Sequence, residues 1–282
     1  MPYAPVITPY TDASPCPRVE VFFEEFHEDT ATVTVYRTAA GREYQVRGAV
    51  NAATAGSLSR IDFEVPFNIP VTYRAEMFDA DGLSLGFTDP TTLPSLDSAD
   101  TWLHNPLDPQ GAVKVIAKLG SAAVLSRPMM GSVSRPIGRR VGVVLTQGRT
   151  GLVDLTWDIH AYDLTTADKV QALLGDYTST TVPVLCLRVG GDESRIRIPK
   201  PLFLGVLNIA EEMQDVQYGG EWTVQRITGD EAAPPVPGLF IPLLTNADLN
   251  AYYATNADLN SDNASNAAVN RRYDLAQFSG PA

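Results

Sequence analysis

The chain has 282 residues, with 33 acidic against 21 basic side chains and a formal net charge of −12. A nucleic-acid-binding protein needs a basic footprint, which the chain as a whole lacks. Its 44% of hydrophobic residues can fill packed cores, which excludes wholesale disorder, and its longest apolar stretches, such as residues 202–207, fall far short of the roughly 20 residues of a membrane-spanning helix.

Residues 1–17 hold five prolines and read as an extended arm. Residues 1–11 have neither a basic nor an apolar signal-peptide region, so no secretion signal is expected. From residue 18 to residue 90, period-2 alternation predicts six or seven short strands: residues 19–24, 32–36, 43–50, 60–65, 71–78 and 83–87. Each would bury one face and wet the other. In the fourth strand the expected inward residues are Ile61, Phe63 and Val65; in the fifth they are Val71, Tyr73, Ala75 and Met77. Turn signals separate the runs, Asp81-Gly82 being the sharpest. The expectation is a mainly-β chain opening on an immunoglobulin-like sandwich.

Residues 91–111 break this pattern with Pro94, Pro106 and Pro109 and read as a linker, with Trp102 and Leu103 docking on a neighbouring surface. A second β-rich domain is expected over 112–233, with strands at 113–119, 140–146, 151–159, 182–189, 195–198, 202–212 and 222–227. It holds one short helix: Thr165 or Thr166 can cap it, Val170, Leu173 and Leu174 form its apolar stripe, and Gly175 ends it. Residues 234–238, PPVPG, read as a stiff hinge into a C-terminal arm over 234–282.

That arm contains a ten-residue repeat: TNADLN at 245–250, TNADLN at 255–260 and SNAAVN at 265–270. Ten residues fall about 80° short of three helical turns, so the repeats would not share one helix face. Three short turns, each capped by Thr or Ser, fit better. Such a segment needs a partner to bury Leu249, Tyr252, Tyr253, Leu259, Tyr273 and Phe278, which makes these candidate subunit-interface residues.

Catalytic signatures are absent from the sequence. His27, His104 and His160 have no metal-pair spacing with one another or with Cys16 and Cys186, which read as two free thiols rather than a disulfide. There is no nucleophile elbow, phosphate-binding loop or dinucleotide fingerprint. The acids Glu24, Glu25, Glu28 and Asp29 read as a solvated loop, and Asp79 and Asp81 as a turn. Residues 258–269 begin like a calcium loop but lack its glycine and its bidentate acid. No catalytic residue, metal or cofactor is expected, and the protein is not expected to be an enzyme. One stretch is locally basic: Arg127, Arg135, Arg139, Arg140 and Arg149 precede the next acid, Asp154. Its prolines and glycines make it read as a loop, and Arg135, Arg139 and Arg140 are candidates for contact with an acidic neighbouring subunit.

Three features resemble minor tail proteins of long-tailed phages that infect high-GC Gram-positive bacteria. Residues 73–89, YRAEMFDADGLSLGFTD, are similar to the close of fibronectin-type-III-like modules of such tails. The succession RPMMG, RRVGVVLTQGRTGLVDLTW, DLTTADKVQALLGDYTSTTVPVLCLRV and GGEWTVQRITGDEAAPP, within 125–235, resembles their β-rich assembly domain. The repeats of 245–278 resemble their terminal segments. The resemblance implies a structural virion protein of the tail tip or baseplate, made in the host cytoplasm. It also implies assembly with itself as a trimer or hexamer, and with other tail proteins. It supplies no catalytic residues. The alternative is a module that binds a host cell-wall glycan. Such binding would use exposed aromatics, whereas Trp157 and Trp222 lie in strand patterns where core packing is expected.

Overall fold

The computed structural model describes residues 3–175, 181–214, 220–238 and 246–263, together with 265, 268, 269, 272 and 275. Strand makes up 44% and helix 12%, so the chain is mainly β, built of antiparallel sheets with few short helices.

The N-terminal half contains nine strands: β1 (Val6–Tyr10), β2 (Arg18–Phe23), β3 (Thr32–Ala39), β4 (Arg42–Gln45), β5 (Ala52–Ala53), β6 (Leu58–Asp62), β7 (Val71–Phe78), β8 (Ser84–Phe87) and β9 (Thr91–Leu93). One sheet runs β1-β2-β6; the other runs β4-β3-β7-β8, with β5 on β3 and β9 on β7. The two share a core of Val19, Val21, Phe23, Val33, Val35, Val71, Tyr73, Ala75 and Met77. The β7 alternation appears as strict buried/half-buried alternation. The proline-rich arm contains a strand: β1 pairs with β2 from Val6↔Phe22 to Tyr10↔Arg18. Proline is tolerated there because β1 is an edge.

Of the inward residues expected in the fourth strand, only Val65 is buried. Asp62 and Glu64 are buried, while Ile61 and Phe63 are half-buried. The cause is Arg37, which stands on the inward face of β3 with Val33 and Val35 and is fully buried. Its Nη1 donates to both Asp62 oxygens, at 2.6 and 2.7 Å. Tyr73 Oη and the Glu64 backbone N–H donate to the same carboxylate, at 2.9 Å each. A buried guanidinium demands a carboxylate, and this pair ties the two sheets together across the core.

The expected linker also contains structure. Residues 91–111 hold β9, β10 (Thr101–Asn105) and the start of β11 (Asp108–Ala117). The prolines sit at turns and strand starts, which misled the composition argument. Next come β12 (Met129–Ser134), β13 (Val143–Arg149), β14 (Leu155–Ala161), α1 (Leu164–Ala172), β15 (Val184–Arg188), β16 (Leu202–Met213) and β17 (Thr223–Glu231). Six of these close a barrel in the order β10-β11-β14-β17-β16-β15, with β15 pairing back to β10. Inside lie Leu103, Val115, Leu155, Trp157, Ile159, Leu185, Leu187, Leu204 and Ile227, joined by Val170 from α1 and Leu173 at its C-cap. Residues 195–198, expected as a strand, form none: Arg195 ends a short 3-10 turn, Gly191–Arg195, and the next three residues follow it. The cap of α1 is Asp163 rather than Thr165 or Thr166, and it accepts from Thr166 N at 2.7 Å.

The barrel wall packs against the N-terminal half. Trp102 and His104 alternate outward with Arg188 and Cys186 across the β10–β15 pair, and all four are buried. Arg188 donates to Pro17 O at 2.7 Å and Cys16 Sγ at 2.9 Å, and covers the Phe67 ring at 4.5 Å. Arg42 pairs with Glu231 at 2.8 Å. Residues 234–238 are held as well: Arg47 donates to the carbonyls of Pro235 and Val236, and Gly48 N to Pro237 O.

Beyond them, α2 (Asn246–Tyr252) and α3 (Asn256–Asp262) carry the first two repeats. Thr255 and Asp258 form a reciprocal capping box on α3, and Ser265 Oγ accepts from Ala268 N at 3.2 Å to start a third turn. Asp258 therefore serves as a cap. No helix among the described residues is long and apolar enough to cross a membrane.

Candidate functional site

The densest cluster of chemically capable side chains lies between the two halves. Arg37, Arg47, Asp62, Glu64, His104, Arg188, Cys16 and Cys186 all face this region. It is sealed: His104 is fully buried and neither ring nitrogen has a hydrogen-bond partner. Burial, then the charges of Arg188, Arg47 and Arg37, push its pKa well below the ordinary imidazole value. Burial raises both thiols, so neither is a ready nucleophile. The two cysteines are free. Native protein at pH 8 is therefore expected to leave both unreacted with a thiol-disulfide reagent and to release two equivalents only after denaturant. Rapid native labelling would contradict this burial. Among the described residues no three His, Cys, Asp or Glu side chains come together as a metal site.

The surface offers two better candidates. The first is the β12–β13 hairpin, an arm projecting from the barrel between β11 and β14 and belonging to neither core. Every residue of both strands is exposed. The basic stretch read as a loop is thus a paired ribbon, with register from Met129↔Arg149 to Ser134↔Val143. Gly131 permits the pairing, since a Cβ there would lie 2.3 Å from Leu145 O. Thr150 N and Oγ1 both donate to Pro128 O at 2.9 Å, and Arg127 donates to Arg197 O at 2.8 Å, so the root is fixed. Arg135, Arg139 and Arg140 lie in the eight-residue tip. Met129, Met130, Val133, Ile137, Val144 and Leu145 stand out along the arm with more than half their surface in water. The sequence reading missed these apolar residues; the alternation of Met129, Gly131 and Val133 was the available signal.

The second candidate is an aromatic stack on the barrel wall. Trp222, expected in the core, is 39% exposed and lies beside Tyr162, 56% exposed. Their rings are 5.8 Å apart at 28°, and His160 stacks on Tyr162 at 5.6 Å and 20°. Trp222 Nε1 donates to His160 Nδ1 at 3.4 Å. The outward parity of β14 and β17 places the three together, with His160 opposite Val224. Beside them Arg226 pairs with Asp158 at 2.9 Å and lies 4.0 Å from Glu212, and Glu221 is exposed next to Trp222. By contrast, Trp102 and Trp157 are buried.

The C-terminal candidates are spread out. Leu249 and Leu259 are half-buried on α2 and α3. Tyr252 is 44% exposed and meets Tyr253 edge-on at 4.8 Å. Tyr253 is buried, and its hydroxyl accepts from Asn263 and Arg272. Tyr273 and Phe278 lie outside the described residues. The acids Glu24, Glu25, Glu28 and Asp29 are exposed, and Asp79 Oδ1 caps its own turn by accepting from Asp81 N and Leu83 N.

No family model, curated protein or solved structure matches the chain.

Proposed function

We propose that the protein is a structural subunit of a phage tail tip that assembles as a symmetric oligomer, through contacts with its own copies and with other tail proteins. The observation that carries this reading is the β12–β13 arm. An isolated two-stranded hairpin is at best marginally stable in water, and this one exposes apolar side chains along its whole length. Soluble monomers seldom present such a surface without a use for it. The N-terminal half, on this reading, is a fibronectin-III-like module, and the barrel is the assembly domain of the resembling tail proteins. The function is architectural, without a catalytic step, cofactor or nucleic acid.

A glycan-binding role is the second reading. The exposed Trp222–Tyr162–His160 stack favours it, because a flat aromatic platform can receive a sugar ring.

Mass in solution by sedimentation equilibrium separates them. A discrete trimer or hexamer of full-length protein is expected at micromolar concentration. A monomer at every concentration, with retention on purified host cell wall, would replace the structural reading with the glycan one.

A further inference from the structure

We propose that the arm of one copy docks on the aromatic wall of the next copy, so that the subunits join head to tail. This pairing rests on the assembly reading above and names the two surfaces that carry it. The surfaces complement each other in three ways.

The first is charge. Residues 119–153 contain five arginines and no acid, within a chain whose net charge is −12. At the arm's tip, the side chains of Arg135, Arg139 and Arg140 make no hydrogen bond or ion pair with any described residue, whereas Arg127 and Arg149 at the root are bound to carbonyls. The wall offers Asp158, Glu212 and Glu221 against Arg226 and Lys118, whose backbone N–H donates to Asp158 O, so acids outnumber bases among them. The rest of a second copy is therefore the acidic partner that such a tip fits, and opposite potentials both steer the encounter and select against wrong faces.

The second is ring chemistry. A guanidinium stacks well on an indole or phenol face. Trp222 and Tyr162 present such faces, and the Trp222 Nε1 bond to His160 holds them in place. The apolar side chains of the arm can then cover the rest of the platform.

The third is placement. The arm enters β14 at its Leu155 end, whereas His160 and Tyr162 lie at the far end of that strand, about 20 Å away at the rise of a β-strand. The arm and the wall thus sit at opposite ends of one rigid element. Two different patches meeting across copies make a heterologous interface, which closes into a ring when the rotation between subunits permits.

The test uses full-length protein and four variants, each checked for an unchanged far-ultraviolet spectrum and melting profile. The arm variant R135E/R139E/R140E and the wall variant E212K/E221K each place like charges at the contact. Each is expected to weaken self-association by about a hundredfold or more, leaving monomer at concentrations where wild type is assembled. The chain carrying all five reversals puts an acidic tip against a basic wall and is expected to regain the assembled mass. Trp222→Ala is expected to weaken assembly without changing charge. An assembled wild type whose mass survives both reversals would overturn the pairing and leave the assembly reading standing. A wild type that is monomeric throughout would overturn both. Loss of cell-wall retention in Trp222→Ala with assembly intact would assign the wall to a saccharide instead, and would also overturn the pairing.

Discussion

Asp62→Ala is expected to lower the free energy of unfolding by about 3–5 kcal/mol, the cost of removing one side of a buried ion pair. Asp62 accepts four hydrogen bonds: two from Arg37 and one each from Tyr73 Oη and Glu64 N. Without it a fully buried guanidinium keeps only Glu64, whose Oε2 is 3.8 Å from Arg37 Nη2 and whose other oxygen is already bound to Arg47 at 2.7 Å. Urea denaturation followed by intrinsic fluorescence measures the loss. A change below about 1 kcal/mol would show that the pair does not bridge the sheets energetically. The double replacement R37M/D62L should recover most of the loss, because an apolar pair of similar volume leaves no orphaned charge.

Acid is expected to loosen the contact between the two halves, beginning near neutral pH. His104 is buried without a partner and surrounded by Arg188, Arg47 and Arg37. Its folded pKa lies well below the unfolded value of about 6.5. Above that value both states are neutral and stability is complete. Below it the unfolded chain takes up a proton that the folded chain refuses, so stability falls by about 1.4 kcal/mol per pH unit until the folded pKa is reached. Against the opposing effect of burial, Asp12 and Glu231 are held below their usual range by hydrogen bonds from Arg18 and Ser14 and from Leu152 N–H and Arg42, whereas burial raises Glu64, whose protonation favours the folded state as pH falls and so opposes the histidine effect. Melting curves between pH 8 and pH 5, compared between wild type and His104→Phe, separate the histidine from Glu64. His104→Phe should flatten this dependence while keeping the pH 8 stability, since a ring of similar shape replaces two unsatisfied nitrogens. An identical slope in wild type and variant would show that His104 is not the group responsible.

Where one face of a strand is apolar and the other polar, the architecture was legible in the sequence. The alternation in β7 depends only on side chains two apart pointing the same way, and that strand folds as read. The repeat was legible for the same local reason: Thr255 and Asp258 satisfy each other's backbone donors within one turn. The reading failed where a residue's partner is distant in sequence. Asp62 turns inward because Arg37, 25 positions away, is already there. Trp222 is exposed because it stands on the side of the strand end that looks away from both cores.

The candidate surfaces show the same division. Composition revealed the five arginines of 119–153 and the acidity of the remainder, since charge is counted without coordinates. Prolines and glycines then argued for a loop, because local propensity cannot register that two segments pair across a long turn. The aromatic stack joins His160 and Tyr162 on one strand end to Trp222 some sixty residues later, and only barrel closure makes them neighbours. By itself the sequence determined what depends on near neighbours: the mainly-β class, the capped helical turns and the separation of charge. The tertiary structure alone decided which polar groups are buried, which aromatics are exposed and where the arm stands relative to the wall, because burial and proximity arise from contacts between residues far apart in the chain.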